Sequence, residues 1–479
     1  MKPTNNQFAF GQLGLIALIL LLLTACGGLK PIQHSNYELP EAFTGRSESI
    51  GSLEIVERGD FFKDEHLLGL IEEALRNNQE LKIVTQEIAI ANAEVKGRKG
   101  EYLPYIGLAA SLDSEKVGRF TRNGAVEHEL TLDGEEFPEP LKNQSVGLTA
   151  SWELDVWKKL RNQKKAAFHE YMASWEAQRF MTSQLVSEIA STYYELVTLD
   201  LTLKNIERYN DLQKNALKIV KLLKQAGKSN ELAVKRFEAE YDRNQSEVIR
   251  VRQEIIGLEN EIRFLVGNPT LEISRTDQFV SSPLLFETDE IPVNLVLNRP
   301  DLKQAMQELE ASKLMSKAAR ASFLPSIGIN SSYGREAFKA HLLGSTPESV
   351  FYRIAGELLS PLFNFNELKA QLAIANAHQE QAYLKYQKTS LKAFLEVSTQ
   401  LWNVENLKEQ LALQKDQVTA LEQANTISNV LFKAARADYL EVLLTQRESL
   451  EAQNQWLDSQ KQLINANIAL YKAIGGGWF

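Results

Sequence analysis

The 479-residue sequence predicts a mainly α fold with a membrane β-barrel portion, written as an internal duplication. Three observations predict it. The stretch YLPYIG at 102–107 returns as FLPSIG at 323–328, which sets Pro104 and Pro325 221 residues apart (325 minus 104). The same offset relates Asn77 to Asn298 and Leu81 to Leu302. No proline falls from Leu141 to Asn268 or from Leu362 to Phe479, so two long tracts are free to be helical. Four further segments alternate apolar with small or polar side chains, the period of a strand with one apolar face.

The chain is 44% hydrophobic and 24% charged with a net charge of -9, enough for a core and too acidic for a nucleic-acid binder. Residues 1–25 read as a secretory signal. Lys2 precedes the apolar run GLIALILLLL (14–23), and LTAC follows directly, ending at Cys26. That ending resembles the lipobox of bacterial lipoproteins, in which the cysteine carries the lipid. Cys26 is the one cysteine in the chain, so an internal disulfide is impossible and a dedicated use of the thiol is the economical account. A signal with an accidental cysteine, or a short membrane anchor, is the plainer alternative. Gly27, where an aspartate is absent, favours delivery to the outer membrane by resemblance to Gram-negative lipoproteins.

An N-terminal arm (26–62) leads to the first copy, 63–268. Its strands are expected at about 105–117 and 144–156. Ile106, Leu108, Ala110 and Leu112, then Val146, Leu148, Ala150 and Trp152, mark one face. The acidic stretch between Val117 and Asn143, with Glu127, Glu129, Asp133, Glu135, Glu136 and Glu139, reads as an external loop. A helical hairpin is expected over 158–268. Tyr193, Leu196, Leu199, Leu203, Ile206, Tyr209, Leu212, Ala216, Ile219 and Leu223 recur at steps of three and four, as in a coiled-coil seam. Gly227 supplies the stop, with Ser229 or Asn230 capping the returning helix.

A connector (269–292) leads to the second copy, 293–479. Strands are expected at about 326–336 and 350–361, and a helical hairpin at 364–474. Ile327, Ile329 and Tyr333, then Tyr352, Ile354 and Leu358, carry the apolar face. ARADYLEV (435–442) repeats the place of GKSNELAV (227–234) at an offset of 208, with Asp438 and Glu441 spaced as a capping box. In each hairpin the entering helix should be about 65 residues and the leaving one about 40, so the longer reaches ~100 Å at ~1.5 Å per residue. The alternation alone also fits a soluble sheet with one wet face. If the strands lie in a membrane, four cannot close a barrel. Two chains would give eight strands and three would give twelve, and periodicity does not choose between them.

The lipobox, the paired LP junctions, WELDVWKKLR (152–161) with SPLFNFNELKA (360–370), NRPDL (298–302), DYLEVLLTQ (438–446) and LYKAIGGGW (470–478) together resemble a TolC-like outer membrane efflux protein. More narrowly they are similar to the NodT/OprM-type lipoproteins of resistance-nodulation-division pumps. The resemblance implies a homotrimer: an α-helical barrel in the periplasm and a 12-stranded β-barrel, four strands per chain, in the outer membrane of a Gram-negative bacterium. The LP prolines would mark each passage from helix to strand. Partners would be a periplasmic adaptor, an inner-membrane pump and outer-membrane lipid. Asp438 would ring the closed aperture, with a plain helix cap as its other reading. Gly227, Lys228 and Ser229 in one turn, and Arg436, Tyr439, Leu440 and Val442 at the other, would meet the adaptor. Ala435 stands where the second turn would normally have glycine. Glu153 and Asp155 would face the lumen, biasing it toward cations or merely hydrating it.

No chemistry is expected. The six histidines lack metal-ligand spacing, and Leu222 stands where a phosphate loop leading to Gly227-Lys228-Ser229 would need glycine. No cofactor is expected beyond the covalent lipid. A protein-secretion exit duct and a structural envelope lipoprotein are the other readings. Five methionines without a Met or His cluster give no sign of a metal cargo.

Overall fold

In a computed structural model the described residues are 39, 40, 42, 43, 57–132, 134–277, 279, 293–361, 363, 365–434 and 436–478. Cys26, the signal segment, most of the N-terminal arm, most of 269–292, Asp133 and Ala435 lie outside them. Helices α1 (Arg58–Phe61), α2 (Glu65–Asn77) and α3 (Gln79–Glu101) precede strand β1 (Tyr105–Glu115). Then come α4 (Arg122–Glu129), the short β2 (Thr131–Leu132) and β3 (Glu135–Glu136), β4 (Leu141–Leu154), α5 (Lys159–Gln225) and α6 (Glu231–Val266). The second copy contributes α7 (Pro300–Ala321), β5 (Ser326–Ala337), β6 (Val350–Leu359), α8 (Asn366–Lys433) and α9 (Tyr439–Ala473). The described chain divides into two compact units, one of Ala89–Tyr171 with Gln307–Tyr383, the other of residues 36–88, Met172–Met306 and Leu384–Phe479.

The first unit holds an antiparallel sheet of order β1-β4-β5-β6, in which the two copies join through β4 and β5. Register sets Leu108, Leu148, Tyr333 and Tyr352 in one row and Gly107, Thr149, Ser332 and Arg353 in the next. The alternation of the sequence therefore becomes two chemically distinct faces. Gly147 opposes Gly334, and a Cβ on Gly147 would meet the Tyr333 carbonyl oxygen at 2.6 Å. Only glycine lets the two copies approach so closely there. β4 begins at Leu141, earlier than the expected 144, because Leu141–Asn143 pair with Glu115–Asp113.

The acidic stretch is more structured than the loop expected there. Thr121 caps α4 by accepting from the Gly124 N–H at 3.2 Å, and β2 and β3 form a hairpin. Glu139 pairs with Arg119 at 2.8 Å and Lys116 at 3.3 Å. Hydrogen bonds from these two side chains hold its carboxyl below the usual range.

The second unit is built from the helical hairpins. α5 and α6 have 67 and 36 residues, α8 and α9 have 68 and 35. Val248, Val251, Ile255 and Ile262 recur at helical spacing on the buried side of α6, while Arg250 bridges Glu247 and Glu254 on the exposed side. The core gathers Phe61, Ile189, Tyr193, Leu196, Ile262, Leu401 and Tyr471, each worth ~1.5–3 kcal/mol when fully buried. Phe61 stacks on Tyr471 with centroids 4.1 Å apart. Asp64 caps α2 and also accepts from the Tyr193 hydroxyl at 2.7 Å, tying the arm-proximal helices to α5.

The expected seam of α5 holds through Tyr209 and then shifts. Leu212 and Ile219 are 39% and 40% exposed, whereas Gln213 and Val220 are buried at 2% and 0%. A strict alternation of three and four drifts around a helix of 3.6 residues per turn. Gln213 tolerates burial because its Nε2 donates to the Gln446 Oε1 at 3.0 Å, beside a Tyr209–Ser449 hydroxyl pair at 2.7 Å.

Candidate functional site

The hairpin turns are built from backbone chemistry. At the first, Gly227 has φ 70°, the Lys228 N–H bonds the Leu223 carbonyl at 2.8 Å and the Gly227 N–H bonds the Lys224 carbonyl at 3.0 Å. This is a Schellman ending, which needs a residue at positive φ and explains the glycine. Asn230, rather than Ser229, caps α6 by accepting from the Ala233 N–H at 2.9 Å. Gly227 and Lys228 are exposed and Ser229 half-buried. Lys224 pairs with Glu231 across the turn, and hydrogen bonds from Lys235 and Lys221 draw the Glu238 carboxyl down to about 2.

At the second turn the Arg436 N–H bonds the Leu431 carbonyl at 2.8 Å, the counterpart of the 228–223 bond at the 208-residue offset. Asp438 holds the N-cap position of α9 with extended backbone, but its side chain makes no bond to the helix. The expected capping box with Glu441 is therefore not formed. Asp438 and Arg436 are exposed, and Tyr439 and Leu440 are half-buried. Val442 departs from its expected place among contact residues. It is 2% exposed, because the turn of helix it occupies faces the interior. Tyr439 packs with its ring 6.5 Å from Phe237, joining a small cluster of Val220, Val234, Phe237 and Leu443 that links the two hairpins near their turns.

On the sheet, Glu153 lies on the polar face, where Lys159 donates to it at 2.7 Å. Register places Gly328 beside Glu153 and Glu357 beside Gly328. Glu357, which accepts from Asn330 at 3.3 Å, is thus a second acid in this row that the sequence reading did not single out. The repeated alternation of β6 was the signal available. A cavity of about 550 Å³ opens here, lined by Glu101, Tyr105, Glu153, Asn330 and Glu357 among others.

Asp155 departs from its expected lumen-facing role. It follows the end of β4 with its side chain only 2% exposed, and accepts from the Leu160 and Arg161 N–H groups, each at 3.0 Å, and from the Arg161 Nε at 3.0 Å. It secures the N-terminus of the 67-residue α5, where a carboxylate is favourable. Burial opposes its charge, but the Arg161 and Leu160 bonds outweigh that and hold its carboxyl below the usual range.

Among the described residues no group of His, Cys, Asp and Glu could hold a metal ion, and no helix is long and apolar enough to cross a membrane. The sheet supplies the membrane-compatible surface instead. Leu108, Leu148, Tyr333, Tyr352 and Ile354 on its apolar face are 53–78% exposed. A duplicated chain of long helical hairpins with such a sheet defines a helix-and-barrel membrane channel subunit. The chain belongs to the outer membrane efflux protein family, whose model matches residues 70–268 and 291–476.

Its relatives include the solvent efflux pump outer membrane protein SrpC of Pseudomonas putida, 28% identical over 426 residues, covering 88% of this chain and 87% of that one. The cation efflux system protein CusC of Escherichia coli O6:H1 is 26% identical over 476 residues, covering 96% and 97%. Among solved structures, the open state of the MtrE outer membrane channel of Neisseria gonorrhoeae matches with a TM-score of 0.79 at 22% identity, covering 94% of this chain and 98% of that one.

Proposed function

We propose that this chain is the exit duct of a tripartite efflux pump, a homotrimer in the outer membrane that passes small solutes received from an inner-membrane resistance-nodulation-division pump and a periplasmic adaptor. The observation that carries the reading is the sheet, with one exposed apolar face, one polar face and strands β1 and β6 at open edges. Open edges are not tolerated in hydrocarbon, so β6 of one copy must pair with β1 of the next. Three copies give twelve strands and a water-filled bore, whereas two give eight and a bore filled by side chains. The exposed Leu212, Ile219 and Leu222 of α5 fit burial against neighbouring copies.

The exposed turn residues Gly227, Lys228 and Arg436, with half-buried Ser229, Tyr439 and Leu440, would meet the adaptor, and three Asp438 carboxylates would ring the aperture. Cys26 would carry the lipid. The chain itself would select little, since relatives of one architecture are named for solvents and for cations. Native mass spectrometry of the detergent-extracted protein with conductance in planar bilayers tests this. A trimer that conducts is expected; a monomer, or a trimer that inserts without conducting, would sink the reading.

A further inference from the structure

The sheet sorts charge by face. Of the residues in its four strands that are charged at neutral pH, Asp113, Glu115, Glu153, Glu336, Glu357 and Arg353 share the polar face. On the apolar face only Lys142 and Arg335 are charged. Both are cationic, both are exposed, and both lie toward the end closed by the 116–140 and 338–349 connections, away from the helices. Val146 opposes Arg335, so Lys142 stands four residues farther along β4, ~13 Å at ~3.3 Å per residue. Directly opposed Tyr333 and Tyr352 lie next on that face, two residues from Arg335.

Neither cation is paired with an acid among the described residues. Among the described residues Lys142 has no ion pair, and the one protein acceptor of Arg335 is the Leu343 carbonyl, reached by Nη1 at 3.3 Å. The nearby acids are engaged elsewhere. Glu336 points to the other face and accepts from Asn143, Glu139 is held by Arg119 and Lys116, and Glu135 is approached by Lys339 at 3.5 Å.

We propose that Lys142 and Arg335 form a docking surface for a phosphate-bearing anionic lipid of the outer leaflet. The proposal rests on reading the sheet as an outer-membrane barrel wall. A charge on a lipid-facing strand is unfavourable unless it reaches headgroups or a partner, and long cationic side chains reach by extending toward the interface. A guanidinium matches phosphate through two parallel hydrogen bonds, and an ammonium adds a point charge. Hydration alone would be served by either sign. The exclusively positive sign on this face, beside a polar face that is mostly acidic, is complementary to phosphate. The tyrosine pair supplies the aromatic contact expected where acyl chain meets headgroup.

The test uses full-length protein in neutral detergent, mixed with bisphosphorylated lipid A or with the same lipid after phosphatase treatment, and native mass spectrometry to count retained lipid. The parent should retain the phosphorylated lipid and little of the dephosphorylated one. Lys142→Gln with Arg335→Gln should lower retention about fivefold or more, as for the loss of two charge-assisted contacts. Arg335→Lys should keep part of it, and Arg353→Gln on the opposite face should keep all of it. Equal retention by the double variant, or of the dephosphorylated lipid by the parent, would overturn the proposal; the latter would make acyl packing the whole interaction. Should the double variant not assemble, Lys142→Gln alone must lower retention for the proposal to stand. Conductance is recorded on the same parent preparation. Failure to insert and conduct sinks the channel reading, whereas a conducting trimer without phosphorylated lipid sinks only the lipid site.

Discussion

The Arg299 guanidinium donates to the Ala473 carbonyl at 3.1 Å, closing a contact between residues 174 apart in sequence. In the first copy the side chain of Asn78 donates to the Leu265 carbonyl at 2.8 Å. The donors are related by the 221-residue offset and the acceptors by the 208-residue offset, so the two bonds are one joint written twice. Each ties the start of the helix leading to an LP junction to the last turn of its hairpin. Arg299 is 4% exposed and also pairs with Asp301 and Glu396, each at 2.8 Å. This gives NRPDL and the terminal glycines a shared reason, since Gly475, at φ 96°, lies against Arg299: a Cβ added to it would sit 3.6 Å from the Arg299 backbone.

Removing that guanidinium should therefore destabilise the fold. Arg299→Ala would take the buried donor from the Ala473 carbonyl and from the Asp301 carboxylate, while Glu396 keeps Lys392 at 3.5 Å, at a cost of ~1–3 kcal/mol. Asn78→Ala, which removes a neutral donor, should cost ~1–3 kcal/mol. Denaturant unfolding in detergent measures both. Equal effects below ~1 kcal/mol would show that the joint holds nothing.

Asp155 predicts an acid-sensitive element. Its carboxyl is held below its ordinary value in the folded chain, so the stabilisation is present above the unfolded value of about 3.9 and is lost as pH falls through the folded value. Asp155→Asn should lower stability at pH 7 by ~1 kcal/mol, the scale of a lost N-terminal cap, and flatten the decline below about pH 4. Melting curves from pH 3 to 7 compare the two. An unchanged acid limb would assign the decline to other carboxylates.

The faces of β4 should respond oppositely to charge. Leu148→Arg would face lipid at ~2–4 kcal/mol near the midplane, while Thr149→Arg, one residue on, would face the bore and be tolerated. Heat-stable trimer yield in outer-membrane extracts reads this. Similar losses from both would contradict the register of the sheet.

At the second turn, Asp438 makes no bond to the helix it precedes, so neither Asn nor Ala at 438 should change stability by more than ~0.5 kcal/mol. If three carboxylates ring the aperture, both variants should alter single-channel conductance and weaken block by multivalent cations from the periplasmic side. Parent-like conductance and block in both would move the constriction to other residues of the turn.

Cys26→Ser, supplied with a cleavable signal, should abolish incorporation of labelled palmitate yet still give trimers. A well-expressed variant that is monomeric would give lipidation a structural role.

How much of this was legible in the sequence depended on the range of the interaction. The duplication, the turn at Gly227 and the two faces of each strand could be read directly, because proline placement, positive φ and period-two alternation are settled within a few residues. Partners far along the chain could not. Asp155 sits one residue beyond β4, so alternation assigned it to the polar face, but the helix N-terminus that follows offered it two N–H groups and a guanidinium. Val442 read as a turn-side contact, yet helix phase turned it inward.

The seam of α5 divides in the same way. Tyr193, Leu196, Ile206 and Tyr209 were evident from spacing, whereas the burial of Gln213 in place of Leu212 was decided by Gln446, 233 residues away, offering a hydrogen bond. The sequence by itself determined the duplicated helix-and-strand plan and the polarity of each strand face, because these follow from local backbone preferences. Only the tertiary structure decided which polar groups are interior and which cations are left unpaired. Burying a polar side chain is unfavourable until a particular partner arrives, and distance along the chain does not reveal that partner.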